Sequence, residues 1–134
     1  MDKNSYKNRG FRYEDPPQIT PCDDYIIVEP SKLDFMEISY LVKNLLAMDD
    51  FPEKNDLWIL PDRQVEIALD ELAALKDFSQ KHYPRDITGH KTAVVSNDET
   101  TRALTRVYDT IGADLPVTFR AFSSVEKAVS WLKS

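Results

Sequence analysis

HKTAVVSNDETTRALTRVYDTIGADLPVTFRAFSSVEKAVSWLKS, residues 90–134, is the stretch whose reading decides the fold of this 134-residue chain. Thr92 to Ser96 is a short, nearly unbroken apolar run, the pattern of a strand covered on both faces. Ser96 and Glu99 have the spacing of a capping box, in which the hydroxyl and the carboxylate satisfy amides at a helix start. Leu104, Val107, Tyr108 and Ile111 then fall at i, i+3, i+4 and i+7, which predicts one apolar helical face. Gly112 is placed for a left-handed stop, and Pro116 prevents continuation. Val117 to Phe122 is β-branched and aromatic, as strands are. Ser123 and Glu126 repeat the capping box, and Val125, Ala128, Val129 and Leu132 repeat the stripe. Two strand–helix units in succession obey the same rules.

The upstream chain reads the same way. Tyr25 to Val28 is a compact strand stopped by Pro30. Ser31 or Asp34 caps a helix whose inner face is Phe35, Ile38, Leu41, Val42, Leu45 and Leu46, ending near Asp49 and Asp50, before Pro52. Leu57 to Leu60 is the second strand, ended by Pro61, with Asp62 a candidate cap for the next helix. Val65 to His82 is rich in strong helix formers, with Leu69, Leu72, Leu75 and Phe78 as its inner face and a short turn interrupting its first residues. Tyr83-Pro84-Arg85 ends it and Gly89 leads into the third strand. The tally is βαβαβαβα, which implies a mainly parallel sheet with right-handed crossovers. An extra N-terminal strand within Phe11–Thr20 is compatible with the pattern. The α/β domain is expected over residues 24–134, after a basic, aromatic tail and proline-rich linker over residues 1–23.

Composition narrows the function classes. The hydrophobic fraction of 42% and charged fraction of 30% are ordinary for a globular protein. No apolar run approaches the roughly 18–20 residues that span a bilayer, and the N-terminus lacks an apolar signal-peptide core. The single cysteine, Cys22, forms no internal disulfide. Together these favour the cytoplasm. A net charge of −6 argues against nucleic-acid binding, which needs a basic footprint. Met1 to Tyr13 carries Lys3, Lys7, Arg9 and Arg12 against Asp2, a net of +3, so the remainder carries −9. Such a tail is either a disordered solubilising segment or one whose Tyr6, Phe11 and Tyr13 dock on an acidic surface of this chain or of a second copy.

Over Asp24–Lys133 the chain resembles the SpoIIAA-like superfamily, which groups STAS anti-sigma-factor antagonists with lipid-binding CRAL-TRIO domains. Within it the likeness is to small bacterial STAS-like proteins of unknown role. The resemblance is carried by AVVSNDETTRALTRVYDTIGADLPVTFRAFSSVEKAVSWLK, residues 93–133, notably Arg106-Val107-Tyr108, Pro116-Val117-Thr118-Phe119-Arg120, Phe122 and Ala128-x-x-Trp131-Leu132. It implies a four-unit βα right-handed superhelix. In STAS antagonists a phosphorylatable serine starts the helix after the second core strand. The matching Asp62–Asp70 here contains no serine or threonine, and the glycine common after the first core strand is replaced by Ser31-Lys32-Leu33-Asp34.

Glu29, Asp62 and Ser96 come at or just past strand ends, where parallel α/β sheets gather ligands beside helix N-termini. With Arg63 nearby they are the candidates for a small anion site; helix capping is the competing explanation for Asp62 and Ser96. A receiver-like phosphoacceptor role for Asp62 would need an acidic Mg²⁺-binding cluster and a lysine on a fifth core strand. His82 and His90, each at an element boundary, lack metal-ligand spacing and read as surface or turn residues. No glycine-rich phosphate loop is present, and no cofactor or metal is indicated. Trp58 reads as core and Trp131 as rim, available to an interface. Tyr40 and Tyr108 are placed to edge a groove between helices, with core packing as the alternative. The leading expectation is a non-enzymatic protein-interaction module, with a protein partner or a second copy as its target. The alternatives are a binder of a small apolar or amphipathic ligand, as the CRAL-TRIO likeness implies, and last an enzyme, for want of a convergent acid, base and nucleophile.

Overall fold

The computed structural model describes residues 16–134, so Tyr6, Phe11 and Tyr13 lie outside the described residues. Five strands lie side by side in chain order: β1 (Gln18–Pro21), β2 (Tyr25–Glu29), β3 (Asn55–Ile59), β4 (His90–Val95) and β5 (Val117–Phe122). β2 to β5 are parallel, with Ile26 opposite Asp56, Asp56 opposite Thr92 and Thr92 opposite Phe119. β1 is the extra strand. It runs antiparallel to β2, and it sits at the end of the stretch compatible with a strand, continuing to Pro21. Prolines bracket it, as suits an edge.

Four helices follow the core strands: α1 (Phe35–Leu46), α2 (Leu69–His82), α3 (Glu99–Ile111) and α4 (Val125–Leu132). Because spatial order equals chain order, right-handed crossovers put α1, α2 and α3 on one face of the sheet. α4 has no strand to lead into and covers the other face. Side chains alternate across each strand, so the sheet feeds two separate cores. Ile26, Val28 and Trp58 face α1, α2 and α3. Tyr25, Ile27, Leu57, Ala93 and Val95 face Ala128 and Leu132 of α4.

Three helix details differ from the sequence reading. α2 begins at Leu69, with Ala68 as its N-cap residue, because 61–68 is spent on a connection. Within that connection Glu66 bridges Asp34, and its amide donates to the Leu33 carbonyl at 2.7 Å. Leu69 is 67% exposed, while Leu72, Leu75 and Ser79 are buried. At 3.6 residues per turn, leucines spaced by three drift about 60° per step, so Leu69 and Phe78 fall on opposite sides of the helix. In α3 the inner face is turned toward Thr101 and Tyr108, leaving Val107 and Ile111 more than a third exposed.

The caps also move by a residue or two. Asp98, rather than Ser96, accepts the Thr101 amide at 2.9 Å, and Ser124, rather than Ser123, accepts that of Lys127 at 3.2 Å. Gly112 closes α3 at φ −98°, not in the left-handed region. Its lack of a side chain matters for another reason: a Cβ there would sit 3.0 Å from Leu115 Cδ1 and 3.1 Å from the Tyr108 carbonyl. Among the described residues the left-handed glycine is Gly89, at φ +64°, which turns the chain into β4.

Candidate functional site

The face that packs on α1, α2 and α3 carries polar groups in the middle of the sheet. Alternation along β3 puts Asp56 on the same side as Trp58, and alternation along β4 does the same for His90, Thr92 and Val94. Asp56 is 1% exposed and His90 4% exposed. Oδ1 of Asp56 accepts from Nε2 of His90 and from the Thr92 hydroxyl at 2.9 Å; Oδ2 accepts from the Trp58 indole at 2.8 Å and from Thr92 at 3.1 Å. The His90 ring packs on Phe51, centroids 4.3 Å apart. His90 is therefore a buried partner of a carboxylate and not a surface histidine. Its position at the head of a strand resembles a boundary, but Asp56 of the neighbouring strand, opposite Thr92 and so diagonal to His90 on the same face, supplies what an imidazole needs to be buried.

Beside this cluster is a cavity of about 130 Å³ between the sheet and the three helices. α1 contributes Ile38, Val42, Leu45 and Leu46 to its wall, and α2 contributes Leu72 and Leu75. Trp58, Val94 and Phe119 form the sheet side. Val65 and Ile67, on the connection tied to Leu33, close another side. Hydroxyl groups interrupt this apolar lining. Ser79 and Tyr108 are 3.4 Å apart, oxygen to oxygen, and Tyr83 lines the same cavity, its ring 6.1 Å from that of Phe51. Burial, then Tyr108 and Asp56, push the Tyr83 phenol well above its ordinary range. Burial raises that of Tyr108 as well, against the opposing hydrogen bond from Ser79. Both phenols are therefore neutral donors at any physiological pH.

The residues proposed from sequence as an anion site do not converge on this cavity. Glu29 ends β2 half-buried, and Asp62 is exposed on the connection after β3. Arg63 helps line a separate surface hollow with Lys32, Asp34, Gln64 and Glu66, where two carboxylates oppose an anion. Ser96 is buried: its amide donates to Phe122, its carbonyl accepts from Arg102 at 2.8 Å, and its hydroxyl oxygen accepts the Asp98 amide at 3.0 Å. Trp131 is half-buried on α4, 5.7 Å from Phe122, with Lys91 Nζ 5.4 Å and Arg120 Cζ 5.8 Å from its ring. Of the two groove tyrosines, Tyr108 lines the cavity and Tyr40 is 59% exposed on the outer side of α1. Asp56, Ser79, Tyr83 and Thr92 do not stand out in the sequence as site residues. The signal for Asp56 and Thr92 is alternation within strands that read as continuous apolar runs.

No protein-family model matches the chain, and no curated protein matches it. Among solved structures, it is similar to an uncharacterised protein of the DUF3478 family with a SpoIIAA-like fold, from Shewanella loihica PV-4. The identity is 20% and the TM-score 0.52, over 87% of this chain and 91% of that one. The chain has the SpoIIAA-like fold. In this SpoIIAA-like chain, the connection between β3 and α2 carries no hydroxyl side chain from Asp62 to Ala68. Among the described residues, no helix is long and apolar enough to cross a membrane.

Proposed function

We propose that this chain is a binding module that receives a small apolar molecule in the cavity between its sheet and α1, α2 and α3. The observation that carries the reading is the volume of about 130 Å³ within an otherwise buried core. Interiors close-pack to few voids larger than a water. A space of this order, lined by leucine, isoleucine and phenylalanine, is comparable to an engineered cavity of about 150 Å³ that stays dry and takes up benzene. It suits a single ring, not a lipid, which needs several hundred Å³. Among the described residues no acid, base and nucleophile converge on the cavity, so the reading is of binding without turnover. Calorimetric titration with toluene tests it: saturable binding, abolished in the cavity-filling variant Val94→Phe or weakened in Thr105→Leu, is the expected result. Absence of binding of both toluene and an oxygen-bearing ring of the same size to the folded wild-type protein would end this reading.

A protein-interaction role has one observation of its own. Met36 and Tyr40, one turn apart on the outer side of α1, are 81% and 59% exposed. The same helix supplies cavity wall from its inner side, so an occupant could alter the outer face. The partner proposed for that face is a second copy of the chain, which would set one Met36–Tyr40 pair against another. Met36→Glu with Tyr40→Glu should then lower the mass measured by light scattering. An unchanged monomer at all concentrations removes that partner.

A further inference from the structure

We infer that the occupant of this cavity is a neutral single-ring molecule carrying one oxygen, of the phenol or cyclic-ketone class, with that oxygen held by the hydroxyls of Tyr83, Tyr108 and Ser79. The inference rests on the reading of the cavity as a ligand site and adds the chemistry of the ligand. Three features combine to give it.

The first is charge. Asp56 is the one formally charged residue in the cavity wall; the rest is apolar or hydroxylic, and no lysine, arginine or histidine lines it. The two oxygens of Asp56 already receive four contacts from His90, Trp58 and Thr92. A carboxylate ligand would meet no cation, and an ammonium ligand would meet a carboxylate whose acceptor positions are taken. Either ion would lose its hydration without replacement, which is far more costly than burying a neutral group.

The second is hydrogen-bonding capacity. Tyr83 makes ring contact with Phe51, but its hydroxyl has no hydrogen bond among the described residues. Ser79 and Tyr108 share a long contact of 3.4 Å, which leaves each with capacity for another partner. A phenol hydroxyl both donates and accepts, and a ketone accepts; either would satisfy Tyr83, which burial keeps protonated. Tyr83 is half-buried, and a purely apolar ring would offer that hydroxyl no partner on the cavity side.

The third is shape. Five aromatic residues, Phe51, Trp58, Tyr83, Tyr108 and Phe119, line the space, and Tyr108 already meets Phe119 edge-on at 4.9 Å. Aromatic pairs favour such offset and edge arrangements, so a planar ring is better accommodated than a branched chain of equal volume.

The test compares phenol, toluene and benzoate by calorimetry on the wild-type protein and on Tyr83→Phe. Toluene and phenol fill similar space, so the ratio of their affinities isolates the oxygen. Binding of phenol is expected in the wild type, with benzoate at least about a hundredfold weaker. The phenol-to-toluene ratio should fall roughly three- to tenfold in Tyr83→Phe, the size of one neutral hydrogen bond. If Tyr83→Phe does not fold, Tyr108→Phe serves in its place, with a smaller fall in the same ratio. Benzoate binding as tightly as phenol, or a ratio unmoved by either substitution, overturns the inference while leaving the cavity reading intact. No binding of toluene or phenol to wild type overturns both.

Discussion

The two faces of the sheet are packed by opposite rules. On the α4 face the central contacts are small and apolar: Ala93 and Ala128 are fully buried, and Ile27, Leu57, Val95 and Leu132 close around them. On the other face three helices meet the sheet, and the core contains Asp56, His90, Thr92 and Ser79 together with a cavity. One helix can settle on a sheet at the distance that Ala128 on the helix and Ala93 on the sheet set. Three helices must also satisfy each other, and the space left among them is where polar groups and an occupant fit. The α4 face therefore secures the sheet, and the three-helix face is the one to which the proposed binding is assigned.

The largest expected effect lies in the polar cluster. His90→Ala leaves the buried Asp56 without one of its three partners and opens a gap beside Phe51, and should destabilise the protein by about 3 kcal/mol in urea denaturation. A loss under about 1 kcal/mol would mean that Thr92 and Trp58 alone suffice. Next, Ala128→Leu should cost about 1–3 kcal/mol by overpacking the tight face, whereas Val94→Ile, adding a methyl group beside the cavity, should leave stability unchanged or raised. Equal losses from the two would erase the contrast between the faces.

Two pH effects sharpen the comparison further. Tyr83 ionises above its ordinary value of 10.0 in the folded protein. The stability gained by keeping that phenol neutral is thus fully present below about pH 10 and is lost as pH rises beyond it. Thermal melts from pH 9 to 11 should show a steeper decline in wild type than in Tyr83→Phe. The smallest effect belongs to Asp98, whose carboxyl is held below the usual range by the side-chain and backbone hydrogen bonds from Thr101. Its contribution is present above the ordinary carboxylate range and fades as pH falls through its lowered value. Asp98→Asn should therefore lower the melting temperature slightly at pH 7 and converge with wild type in acid.

Strand and helix order was legible because each unit carries its own periodicity and its own proline or glycine stop. The inner face of α1 and that of α4 were readable for the same reason, since nothing but apolar contact is asked of them. α2 and α3 differ from their sequence pattern at the level of facing. Leu69, Val107 and Ile111 extend apolar stripes in the sequence, but Ser79, Thr101 and Tyr108 hold the inner positions. A search for apolar faces cannot find a face that is partly hydroxylic. Asp56 and His90 were hidden for a related reason: a buried polar pair becomes visible only when strand pairing brings its members to neighbouring positions on one face, 34 positions apart in the chain. The strand-end residues Asp62 and Ser96 stand out because polar residues there usually cap helices or bind ligands. As caps they are displaced: Asp98 caps α3 while Ser96 braces the turn into it, and Asp62 precedes a connection rather than a helix.

Methyl-resolved NMR during a titration with phenol tests the difference between the faces most directly. The account predicts saturable shifts at methyls of Leu45, Leu72, Leu75 and Val94, with those of Ile27, Leu57 and Val95 unmoved. Shifts confined to the α4 face, or none on either face at millimolar phenol, would contradict it.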